Sequence, residues 1–318
     1  MRSAGPPPPE ALRAIVAALD PALRLTGSRE LTGGVSARVT AIETRLPGGT
    51  GPAFVLREYG AANLASDPHA ARHEFALLTL LYRAGLPVPR PCLADESGLV
   101  LPGPWLVTEF VDGRAICEPG EPDGTVICQF ATTLAAIHQA GFGLAEAPYL
   151  TDIREFSAPR VGTWPVTPDE SLNEAAIRTA LDGRWPPPVV NEPRLLHCDF
   201  WPGNTLWRDG MLVSVIDWED ALLGDPLADL GNTRLELAMF FGTAAATDFT
   251  RYYRGLMPGL DVATLPYWDL YAALRPAGKM AGWGMPAARL ATMTARHRSF
   301  TAGVLDRLPP GRRTAAGS

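Results

Sequence analysis

The chain has 318 residues, 47% of them hydrophobic and 19% charged, with a formal net charge of −6. This is length for about two domains and ample apolar content for a core; the acidic balance excludes the basic stripe of a nucleic-acid binder and points to a cationic small partner. The four cysteines (Cys92, Cys117, Cys128 and Cys198) have no CxxC spacing, and neither a signal-peptide core nor a run of about 18 apolar residues is present, so a soluble cytoplasmic protein is expected, monomer or homodimer, without zinc, disulfides or membrane partners.

After the proline run at 6–9, residues 10–19 read as an amphipathic helix with Leu12, Ile15, Val16 and Leu19 on one face. Strands follow at about 23–31, 37–44 and 53–59, separated by the glycine-rich turns 32–34 and 47–51. Asp67-Pro68 opens a helix over 69–84, stopped by Gly85, and further strands are expected at 99–101 and 105–111. Beyond a short connector at 109–113 the pattern becomes helical: 123–140, 170–181, 227–241, 247–256, 265–281 and 287–305. Residues 142–169 are expected to be looped, and the tail 309–318 disordered. The expected organisation is an amino-terminal segment at 1–22, a small β-rich lobe at 23–111 and a larger helical lobe at 112–308.

The stretch 195–230, LLHCDFWPGNTLWRDGMLVSVIDWEDALLGDPLADL, concentrates the chemistry. A short strand brings up His197-Cys198-Asp199, a tight loop returns Asn204 beside Asp199, and the strand 212–216 delivers Asp217 at its end. Two carboxylates and an amide are the groups that hold Mg²⁺ and orient a hydroxyl. Phosphoryl transfer asks for little more: an aligned nucleophile, an acceptor for its proton, and neutralised phosphate charge. Asp199 suits the base, and Asn204 and Asp217 suit the metal.

His-x-Asp-x-x-x-x-Asn followed by Ile-Asp-Trp resembles the aminoglycoside phosphotransferase and choline kinase-like family, relatives of protein kinases. The resemblance implies an α+β, bilobal protein kinase-like fold: a small antiparallel sheet with one long helix, then a mainly helical lobe. It implies transfer of the γ-phosphoryl group of ATP or GTP to a hydroxyl of a small molecule, with Asp199 as catalytic base and Asn204 and Asp217 holding Mg²⁺. His197 and Asp229 would brace the backbone. Gly33, Gly34 and Ser36 would approach the nucleotide phosphates, and Arg57 would stand where the family carries lysine, with Glu74 as its partner. That replacement fits a chain whose single lysine is Lys279, although the two cations are not equivalent. Glu109 and Val111 would offer hinge backbone groups to the nucleobase.

Other residues are read more plainly. Asp225-Pro226 caps the helix at 227, Glu219 is expected to be a solvated carboxylate, and Cys198 a small buried bystander. Tyr267, Trp268, Asp269, Arg275 and Trp283 are candidates for an acceptor pocket, but aromatic stripes are more often core and none is assigned. The alternatives are a nucleotide-binding regulatory module without catalysis, suggested by Arg57, and a metal-dependent phosphoesterase using His197, Asp199 and Asp217.

Overall fold

Pro9–Leu19 forms helix α1, which places Leu12, Ile15 and Val16 in a core with Leu23, Ile42, Phe54, Leu56, Trp105 and Val107. Each such apolar side chain contributes about 1.5–3 kcal/mol on burial. The computed structural model describes residues 6–31, 37–116, 122, 124–143 and 145–308. Gly33, Gly34, Ser36, Cys117 and the tail 309–318 lie outside the described residues. The chain divides into two compact units: Met1–Arg114 with Leu206–Arg208 and Val213–Glu219, and Ala115–Thr205 with Asp209–Leu212 and Asp220–Ser318.

In the first unit, β1 (Arg24–Leu31), β2 (Ala37–Leu46), β3 (Gly49–Thr50), β4 (Phe54–Tyr59), β5 (Pro91–Asp95) and β6 (Trp105–Glu109) build one antiparallel sheet. Its order is β1-β2-β4-β6-β5, with β3 against β2. Alternation along β4 points Phe54 and Leu56 into the α1 core, and so sets Arg57 and Tyr59 together on the other face. Helices α2 (Ala61–Ser66) and α3 (Ala70–Arg83) follow β4, and α3 packs on β5 and β6.

The expected strand at 99–101 is absent. Leu99 is exposed, and Leu101 reaches the core from a bend between Gly98, whose φ is 74°, and Pro102. The strand that pairs with β6 is instead β5, launched by the extended run Pro87-Val88-Pro89. The apolar residues at 99–101 thus mark a buried bend, which periodicity alone does not separate from a short strand.

The second unit contains α4 (Gly124–Gln139), α5 (Ile153–Gly162), α6 (Glu174–Leu181) and β7 (Arg194–Leu196). The chain then forms the strands β8 (Thr205–Arg208) and β9 (Met211–Val215), most of whose residues belong with the first unit. It returns as β10 (Leu222–Gly224), antiparallel to β7, and ends in α7 (Leu227–Phe241), α8 (Thr243–Leu256), α9 (Leu265–Leu274) and α10 (Ala287–Leu305). Helix α7 is buried along nearly its whole length, packed by α8, α9 and α10. At Gly231 it meets α9 so closely that a Cβ would lie 2.8 Å from the Trp268 carbonyl carbon.

Two expectations fail here for identifiable reasons. Helix α5 occupies part of the segment expected to be looped. Asp152 caps it by accepting the Arg154 N–H at 2.7 Å, and Pro159 sits inside it without ending it. Helix α9 stops at Leu274, well before 281, because Pro276 and Gly278 (φ 69°) cannot continue it. Among the described residues no helix is long and apolar enough to cross a membrane.

Candidate functional site

The first unit gathers its charge around Arg57. The guanidinium donates from Nη2 to Asp217 Oδ1 at 2.8 Å and to Glu219 Oε2, and Nε stands 3.7 Å from Glu74 Oε2. Tyr59 lies under it, ring centroid 5.6 Å away, and donates its hydroxyl to Glu74 at 2.7 Å. Burial disfavours the Arg57 charge, yet Glu74, Asp217 and Glu219 together hold its pKa well above the ordinary arginine value. Burial pushes Glu74 up, against the pull of Arg57.

Glu219 is not the solvated carboxylate expected. It is largely buried, and it also takes a bond from Asn63 Nδ2 at 2.7 Å. Asn63 sits on α2, a helix with no sequence expectation. Asp217 itself has φ 68°, a left-handed backbone that Asp tolerates better than most residues.

At the end of β6, Glu109 N–H is already bonded to the Arg90 carbonyl at 2.9 Å, and its carboxylate pairs with Arg90 at 2.6 Å. Glu109 is the last residue of β6, and Val111 lies past the strand end.

The second unit is built around Asp199. Asn204 Nδ2 donates to the Asp199 carbonyl at 3.0 Å and to Oδ2 at 2.8 Å; Arg275 Nη2 donates to Oδ1 at 3.1 Å. Both carboxylate oxygens are thus held, which fixes the plane of the group. The loop below is clamped as well. Fully buried Asp229 accepts the N–H of His197 and of Cys198, each at 2.7 Å, while Arg275 Nη1 donates to the Cys198 carbonyl.

Cys198 has φ 61°, which costs a non-glycine residue on the order of 1–3 kcal/mol; the bonds on its N–H and carbonyl offset that cost. Burial and the Asp229 charge push the Cys198 thiol well up, so it is no nucleophile. His197 is fully buried, and its Nδ1 accepts the Asp199 N–H at 3.2 Å. Behind Asp229, His138 bridges its Oδ2 (3.1 Å) to the Tyr253 hydroxyl (2.5 Å). Burial opposes the Asp229 charge, but His138 and His197 bring its pKa below the usual carboxylate range. Asp225 accepts the Leu227 N–H at 3.0 Å and so starts α7.

Asp199, Arg275, Asn232 and Glu236 line a cavity of about 320 Å³ within this unit. Burial, then the Asp199 charge, pushes Glu236 up to about 8. Among the pocket candidates, Arg275 and Trp283 reach this cavity, whereas Trp268 and Asp269 are buried, the latter paired with Arg234 at 2.9 Å. The sequence reading left Asn232 and Glu236 unremarked. A signal for them exists: Asp229, Asn232 and Glu236 form a polar stripe at helical spacing on α7.

The sequence model of the phosphotransferase enzyme family matches residues 28–272. The rat protein named acyl-CoA dehydrogenase family member 11 is 26% identical over 196 residues, 58% of this chain and 25% of that protein, so the chain spans about a quarter of the length of this relative. A Ralstonia eutropha structure provisionally named an aminoglycoside phosphotransferase superposes with a TM-score of 0.68 at 16% identity, covering 93% of this chain and 97% of the other. A thermostable mutant of aminoglycoside phosphotransferase APH(4)-Ia, in ternary complex with ADP and hygromycin B, superposes at 0.60 with 18% identity, covering 97% of this chain and all of the other (100%).

Proposed function

Because the chain belongs to the phosphotransferase enzyme family and has its kinase-like fold, we propose that it transfers the γ-phosphoryl group of ATP or GTP to a hydroxyl of a small molecule. The observation that carries this is the clamped Asp199: an oriented carboxylate on an over-determined loop at the wall of a cavity. With Oδ2 held by Asn204 and Oδ1 by Arg275, the remaining lone pairs point in a fixed direction, where an acceptor hydroxyl can donate. The loose transition state of phosphoryl transfer requires alignment first and proton removal late, so a pre-oriented weak base suffices.

Arg57 is the phosphate-facing cation in this reading, with Glu74 its support. Its Nε has no hydrogen-bond partner among the described residues, and Asp217, Glu219 and Glu74 outnumber its single charge. Asn204 and Asp217 remain the proposed Mg²⁺ ligands: an amide carbonyl and a carboxylate are hard oxygen donors of the kind Mg²⁺ takes, and the ion would neutralise phosphate charge. Gly33, Gly34 and Ser36 remain proposed phosphate contacts, and the Glu109 carbonyl and Val111 proposed nucleobase contacts.

The phosphoesterase alternative loses support, because His197 is buried and engaged with the loop. The test is Mg²⁺-dependent nucleotide turnover and phosphorylation of hydroxylated small molecules, with Asp199→Asn as the control. Turnover should fall by about two to four orders of magnitude while nucleotide binding persists. Unchanged turnover in Asp199→Asn would refute the base assignment. Nucleotide binding without turnover in the wild-type protein would favour the regulatory module.

A further inference from the structure

One wall of the Asp199 cavity carries three cations: Arg160 of α5, Arg275, and Lys279, the single lysine of the chain. Arg275 is fully engaged by Asp199, Asp220, Asn232 and the Cys198 carbonyl. Arg160 and Lys279 are not. Among the described residues neither enters an ion pair. Arg160 gives Nη2 to the Arg275 carbonyl at 3.2 Å and bonds the Tyr271 side chain, which leaves most of its donors over.

The two cations weigh on each other. Burial, then Arg275, lowers the Arg160 pKa; Arg160 first, then burial and Arg275, lowers that of Lys279. Asp220 is the carboxylate that faces both, but it is half exposed and stands 3.8 Å from Arg275, which shares it. Glu236 could have balanced the wall, yet burial and Asp199 push it up to about 8, so it is protonated at neutral pH. Arg160 is half-buried and Lys279 exposed, and an anion seated between them would meet two positive charges that no ion pair occupies.

We propose that the phosphate acceptor is itself anionic, a hydroxylated molecule whose carboxylate or phosphate monoester group seats between Arg160 and Lys279 while its hydroxyl meets Asp199. The inference rests on the phosphotransferase reading above and names its acceptor class. It reverses the cationic partner that the net charge suggests. The local field is set by the side chains that line the cavity more than by distant surface charge.

Lys279 gives a readout that does not depend on turnover, because only one peptide of the full chain can carry an acylated lysine. Its rate of acetylation by an N-hydroxysuccinimide ester is followed by mass spectrometry with gluconate, glucose 6-phosphate, glucose or choline present. Gluconate or glucose 6-phosphate should slow the reaction, and the two arms separate carboxylate from phosphate recognition. Glucose and choline should leave it unchanged. Arg160→Gln should raise the half-protecting anion concentration by about tenfold or more, the loss of one charge-assisted contact.

Protection by choline equal to that by the anions would overturn the proposal. So would no protection by either anion, or an Arg160→Gln protein with unaltered protection. Nucleotide-dependent phosphorylation of the same four compounds separates the two levels of inference. Phosphorylation of choline alone overturns the anionic acceptor and leaves the kinase reading standing. Protection by anions with no phosphorylation of any compound supports the anion seat and counts against the kinase reading.

Discussion

Replacing Asp229 tests whether the Asp199 loop is held from beneath. The Asp229 carboxylate receives two backbone N–H groups at 2.7 Å and the His138 ring at 3.1 Å, all in full burial. Hydrogen bonds to a buried charge contribute about 1.5–3 kcal/mol each. Asp229→Asn keeps the shape but turns an NH₂ toward one of the two amides. One bond is lost and one donor is left unpaired, a cost of roughly 2–4 kcal/mol. Against a total stability of about 5–15 kcal/mol, this should lower Tm by on the order of 10 °C.

Three measurements follow on the same variant: thermal unfolding by near-ultraviolet circular dichroism, hydrogen exchange of the His197 and Cys198 amides, and turnover. Exchange should accelerate at both amides, and kcat should fall by tenfold or more as Asp199 loses its fixed direction (an order-of-magnitude expectation from positioning). Acid dependence gives an independent check. The folded Asp229 pKa lies below its unfolded value, so its stabilisation is complete above about pH 4 and is lost as pH falls through the folded value. The Tm gap between wild type and Asp229→Asn should therefore be full at pH 7 and close on strong acidification. Equal Tm, equal amide exchange and equal turnover at pH 7 would refute the clamp.

Three further outcomes are expected. Arg57→Ala should raise the nucleotide KM or lower kcat, and it should also lower Tm, because Glu74, Asp217 and Glu219 lose their shared cation; Arg57→Lys should retain much of both, and wild-type kinetics in Arg57→Ala would exclude phosphate contact. Glu236 has a raised folded pKa, so its proton stabilises the fold most below about pH 4 and progressively less as pH rises through about 8; Glu236→Gln should gain stability relative to wild type between pH 6 and 9 by differential scanning fluorimetry, and a pH-independent difference would exclude the shift. Gly231→Ala should destabilise by about 1–3 kcal/mol, since the added Cβ meets the α9 backbone at 2.8 Å; an unchanged denaturation midpoint would show that α7 and α9 separate easily.

Much of the architecture is legible from local pattern. The bounds of α7 and α10 match the periodicity residue for residue, because apolar spacing and flanking Pro or Gly act within a few residues of the chain. The errors are local signals with two solutions. Pro159 reads as a breaker, yet helix α5 accommodates it behind the Asp152 cap. The apolar run at 99–101 reads as a strand, yet it is a bend that inserts Leu101 into the core.

The candidate site divides in the same way. The sequence by itself determined that His197, Asp199, Asn204 and Asp217 stand on strand ends and a tight loop, since short-range turn chemistry and one apolar strand suffice for that. It also held the Asp229, Asn232 and Glu236 stripe, as helical spacing. Tertiary structure alone decided the partners. Arg275, 76 residues from Asp199 in the chain, holds its carboxylate, and Arg57, 160 residues from Asp217, pairs with that one. It alone set two unpaired cations beside Asp199, in a chain whose overall charge suggests the opposite. Periodicity carries information over a few residues, whereas the sign of a buried field depends on which distant side chains packing brings to one cavity.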